Sequence, residues 1–161
     1  MSVHARRIAL AILVTAAALT GCTKRGPETI GIGEVSKWET YTNEQVGYTF
    51  QYPAEFEARD HHEGRDVVLR YKGYQIVAIN YCDEEEARAR GLWADAEPEG
   101  QIELSGRTGR LYRYQHQDTF TLMPCISFVV PHRDRSLGLE FRREGELDAV
   151  MKRIRQTFRF L

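Results

Sequence analysis

Two stretches of this chain are apolar at successive positions, and that constrains its fold more than any other feature. Along Tyr74–Tyr81, Ile76 and Ala78 fall on one face of an extended strand while Val77 and Ile79 fall on the other. Along Phe120–Val130 the even positions Phe120, Leu122, Ile126 and Phe128 are apolar, and so are Met123, Cys125 and Val129 on the odd face. Strands apolar on both faces need a layer above and a layer below. The links between the predicted strands are too short for parallel crossovers, so the sheet is antiparallel. The expectation is an α+β fold, an antiparallel sheet flanked by helices. The alternative is a small β-barrel with a C-terminal helix.

Neighbouring segments extend the pattern. Tyr48, Phe50 and Tyr52 alternate with Thr49 and Gln51 in a strand closed by Pro53. Val67–Tyr71 joins Tyr74–Tyr81 through Lys72-Gly73, a two-residue hairpin turn, and Leu111–Gln115 and Leu137–Arg142 are further strands. Asp83 is an N-cap followed by Glu84–Glu86 at the positive end of a helix dipole, with Arg88 and Arg90 one turn beyond Glu84 and Glu86. Leu147, Val150, Met151, Ile154 and Phe158 form one stripe of a second helix, opposite Lys152, Arg153 and Arg155. Residues 38–161 thus read as a single globular domain. The 161 residues carry 22 basic and 23 acidic side chains, a balance that gives no broad attraction to nucleic acid.

The N-terminus carries a different message. His4, Arg6 and Arg7 precede a 12-residue apolar run, Ile8–Leu19, broken only by Thr15, too short to span a bilayer and suited to a signal peptide. Leu19-Thr20-Gly21-Cys22 resembles the lipobox of bacterial lipoproteins. That resemblance implies a signal peptide over residues 1–21, cleavage before Cys22, a diacylglyceryl group on its thiol and an acylated amine. The acyl chains would anchor the protein to a membrane essentially permanently. Thr23 follows rather than Asp, which by analogy with enteric bacteria points to the outer membrane, facing the periplasm. Residues 22–37, with Gly26, Pro27, Gly31 and Gly33, read as a tether.

Trp38-Glu39-Thr40-Tyr41-Thr42-Asn43 leads into Gly47-Tyr48-Thr49-Phe50-Gln51-Tyr52-Pro53, and the chain ends Ile154-Arg155-Gln156-Thr157-Phe158-Arg159-Phe160. Together these resemble the PsbP-like α/β/α sandwich superfamily. The resemblance implies that fold over most of Trp38–Leu161 and a role as adaptor, assembly factor or binding module. It carries no functional residues with it.

The chain has no Gly-x-Ser-x-Gly elbow, no His-Glu-x-x-His and no phosphate loop, and Ser105-Gly106-Arg107-Thr108-Gly109 reads as a turn. No catalytic residue, cofactor or metal ligand is implied. The densest polar cluster, Asp60-His61-His62-Glu63-Gly64-Arg65-Asp66, reads as a solvated loop, and His116 and His132 as surface residues at strand ends. Once Cys22 is lipidated, Cys82 and Cys125 remain in an oxidising compartment. They form either a disulfide, stabilising by about 4 kcal/mol on the chain-entropy model, or two buried thiols. The expected function is that of a non-catalytic, lipid-anchored envelope protein binding another envelope protein. The alternative is a small-ligand or metal-binding receptor using the face around His61, His62, Asp66 and His116, marked by a concave pocket of converging polar groups.

Overall fold

A computed structural model describes residues 35–117 and 121–161; the signal region, Cys22 and Phe120 lie outside the described residues. Described strands are β1 (Trp38–Asn43), β2 (Tyr48–Pro53), β3 (Glu57–His61), β4 (Asp66–Tyr71), β5 (Tyr74–Cys82), β6 (Pro98–Leu104), β7 (Arg107–Gln117), β8 (Leu122–His132), β9 (Arg135–Arg142) and β10 (Arg159–Phe160). Helix α1 (Glu84–Ala89) and a 3-10 turn at Trp93–Asp95 fall between β5 and β6, and α2 (Ala149–Thr157) precedes β10. Seven strands form one antiparallel sheet in the order β3-β4-β5-β9-β8-β7-β6, and three form a second, β1-β2-β10.

This corrects the expected fold class. The described chain is mostly strand, and its two α-helices have only 6 and 9 residues, so helices alone do not make the flanking layers. The barrel alternative fails too, because β3 and β6 stand at opposite ends of an open sheet. The reason lies in how the faces divide. Val67, Leu69, Val77, Ile79, Leu137, Leu139, Phe141, Ile126, Phe128 and Val130 cover one face of the large sheet in a continuous core with Tyr48, Phe50, Met151, Ile154 and Phe158. The second sheet and α2 therefore supply that layer together. The opposite face has a smaller apolar cluster, Cys82, Ala87, Leu92, Trp93 and Val129, which the short α1 and the 3-10 turn suffice to cover.

Local chemistry explains the element ends. Lys72 and Gly73 both take positive φ, 51° and 84°, closing the predicted β4–β5 hairpin. Asp83 Oδ1 accepts from Glu86 N at 2.9 Å, and Asp148 Oδ1 does the same for Met151 N at 2.8 Å at the start of α2. A bulge shifts the β4–β5 register between Leu69, opposite Val77, and Arg70, opposite Gln75. It lets Ile76 join the main core while Gln75 turns to the other face.

Candidate functional site

The second face of the large sheet is where polar side chains interrupt apolar strands. Cross-strand register sets Val68 beside Ala78, Ala78 beside Glu140 and Glu140 beside Ser127, all on one face by strand alternation. Residues 83–97 connect the interior strand β5 to the far edge β6 by way of α1 and the 3-10 turn. That connection leaves a cavity of about 230 Å³ uncovered. Its walls come from β4 (Asp66, Val68, Arg70), β5 (Gln75, Ala78, Asn80) and β9 (Glu140, Arg142). Its rim comes from His61, His62, Arg90, Leu92 and His116. His116 Nδ1 lies 3.2 Å from the Gly91 carbonyl oxygen, joining β7 to the connection.

Both carboxylates in the walls are buried and paired. Asp66, 2% exposed, accepts from Tyr81 N at 2.8 Å through Oδ1 and from Arg90 Nη2 at 2.7 Å through Oδ2. The same Arg90 nitrogen donates to Asn80 Oδ1 at 2.9 Å, and Arg90 Nη1 reaches Glu86 Oε1 at 3.4 Å. Glu86 Oε2 also receives Arg65 at 3.4 Å and Arg135 at 2.9 Å, which ties α1 to the sheet. Glu140, 1% exposed, accepts from the Tyr114 hydroxyl and lies 3.6 Å from Arg142 Nε. Burial, with the Glu140 charge beside it, holds the Tyr114 phenol well above its ordinary range. With its amide oxygen turned toward Arg142, Gln75 accepts from Nη2 and Nε at 3.1 and 3.0 Å.

The chain is similar to cyanobacterial PsbP (CyanoP) from Synechocystis sp. PCC 6803. The TM-score is 0.51 at 15% sequence identity, over 81% of this chain and 96% of that one. The chain has a PsbP-like fold. No protein-family model and no curated protein matches it. The likeness read in Trp38–Pro53 and Ile154–Phe160 therefore leads to the PsbP-like fold, whereas its description as a sheet between helical layers does not hold, because a second sheet and only short helices flank the large one.

Within this PsbP-like domain, His61, His62, Asp66 and His116, grouped as one face from sequence, do come together in one cavity. No group of three or more metal-donor side chains suited to an ion gathers among the described residues. His132 departs from its expected place. It is 2% exposed, Nε2 lies 2.7 Å from the Val46 carbonyl oxygen, and the Phe160 ring packs at 4.8 Å. The missed wall residues had a signal: Asn80 sits between Ile79 and Tyr81, and Glu140 between Leu139 and Phe141, polar groups in the middle of apolar strands.

The two thiols are free, buried and apart. Cys82 pairs with Ser136 and Cys125 with Arg142, on opposite sides of β9. Ser136 and Arg142 are roughly 20 Å apart along the strand, whereas a disulfide needs Cα atoms within about 7 Å. Of the two readings of this pair, the structure holds the buried thiols. Burial pushes the Cys82 thiol up to about 12 and the Cys125 thiol well above its ordinary range, so neither offers a thiolate at neutral pH.

Proposed function

We propose that this chain is a non-catalytic accessory protein of a bacterial cell envelope, anchored through lipid on Cys22 and acting by binding, with another envelope protein as its partner. One observation carries the binding half of this reading. The cavity's two carboxylates are each held by an arginine and a second donor, so neither stands as a free general base. Such a cavity presents fixed hydrogen-bonding groups to a ligand without a nucleophile–base pair. The PsbP-like fold supports the reading through the family resemblance, which implies an adaptor or binding module, and the lipobox resemblance at Leu19–Cys22 supports the anchor.

Crosslinking of native envelope membranes, followed by recovery of the full chain, tests the role. A defined envelope protein captured by the wild type, and lost when Cys22→Ser releases the chain from the membrane, is the expected result. A Cys22→Ser chain that stays membrane-bound, or a native mass without acyl groups, overturns the anchor.

A further inference from the structure

The walls of the cavity have unequal hydrogen-bonding capacity left. Asp66 and Glu140 already receive their donors, and the Asn80 carbonyl oxygen is taken by Arg90. The donors are not all used. Asn80 is 5% exposed and its Nδ2 has no acceptor, and the Arg70 Nε is likewise buried without one among the described residues. A buried donor left unpaired is costly, so these two mark a demand for acceptor atoms. Charge points the same way. Arg70, Arg90 and Arg142 face Asp66 and Glu140, an excess of one positive charge before the rim histidines are considered.

We propose that this cavity binds a small oxyanion, a carboxylate- or phosphate-bearing molecule whose oxygens accept from Arg70 and Asn80. A cation meets arginines there and carboxylates already occupied. An apolar ligand leaves both buried donors unpaired. A guanidinium fork, by contrast, matches the oxygen spacing of carboxylate and phosphate. The volume of about 230 Å³ suits a few-carbon acid or a single phosphate group rather than a nucleotide. At the mouth, His62 Nε2 lies 3.8 Å from Asp66 Oδ2.

The site deepens the binding reading and rests on it, but it fails separately. Nitrogen-15 spectra of the full chain in detergent micelles follow the Arg70 Nε–H and Asn80 Nδ2–H₂ signals during titration with inorganic phosphate and, separately, with succinate. Chloride at matched ionic strength is the control. Saturable movement of both signals with phosphate or succinate, and none with chloride, is expected, and the responding anion identifies the source chemistry. Arg70→Gln should weaken binding about tenfold or more. Arg70→Lys, which keeps the charge but not the fork, should weaken it too, while Arg65→Gln outside the walls should not. An equal response to chloride, no saturable response to either anion, or undiminished affinity in both Arg70 variants overturns the site. A chain that still crosslinks its envelope partner after such a result keeps the accessory role and loses this ligand.

Discussion

Gly138 leaves no room for a side chain against Trp93: a Cβ at position 138 would lie 2.3 Å from the indole Cζ3 and 2.8 Å from Cη2. Trp93 is the main apolar side chain that the β5–β6 connection lays on the polar face. Gly138→Ala must displace it, and overpacking of this kind costs about 1–3 kcal/mol. Urea unfolding should show that loss. In a double-mutant cycle with Trp93→Leu the two costs should fall short of additive, because the smaller side chain relieves the clash.

The Tyr114 hydroxyl is the neutral donor to a carboxylate that is almost wholly buried. Tyr114→Phe removes that donor and leaves Glu140 with Arg142 and the weak Cys125 thiol donor, at an expected cost of about 1–3 kcal/mol. Tyr112→Phe, whose ring packs beside the same cluster, should cost much less in the same unfolding assay. Equal losses in the two variants would show that the ring, not the hydroxyl, matters.

His132 gives stability a defined pH dependence. Burial holds its pKa below the ordinary 6.5, with Arg107 and Arg133 acting in the same direction against the Val46 hydrogen bond. Its Nδ1 has no partner among the described residues, so protonation would create a buried N–H without an acceptor there. Below about 6.5 the unfolded chain takes up a proton here that the folded chain resists. The stability due to neutral His132 is therefore full above that pH and falls as pH drops below it. His132→Gln keeps a donor for Val46 and removes the titration. Its stability should change less than the wild type's between about pH 7 and about pH 5 in parallel denaturant titrations.

With Cys22→Ser in place, the chain keeps Cys82 and Cys125 as its thiols. Both should react slowly with a thiol reagent in the native state and rapidly in denaturant, and reductant should leave the melting temperature unchanged. A melting temperature that falls on reduction would mean that the two strands rearrange to bring the thiols together.

What the sequence made legible was local. Lys72-Gly73, the Asp83 cap and the alternation of Tyr48, Phe50 and Tyr52 each carry their reason within a few residues. Edge strands were harder to see. β3 and β6 bury little of Glu57–His61 and Pro98–Leu104, so no two-residue alternation of hydrophobicity betrays them. The division of the large sheet into an apolar and a polar face was hidden for another reason. Ala78, Cys125 and Val129 read as a second apolar face, and only the register with Glu140, Arg142 and Gly138 reveals their polar and backbone neighbours. The cavity was half visible: its histidines stand out in sequence, while Arg70 and Asn80 join them through pairing across β4, β5 and β9.

Strand β9 keeps two accounts on alternate residues. Leu137, Leu139 and Phe141 belong to the core, whereas Gly138, Glu140 and Arg142 belong to the cavity face. Inheritance can act on the two sets independently, because changing one need not disturb the packing of the other. Selection for a new ligand can rewrite Gln75, Glu140 and Arg142 while the interleaved aliphatic residues stay fixed, so homologues with unlike recognition chemistry can share one unaltered interior.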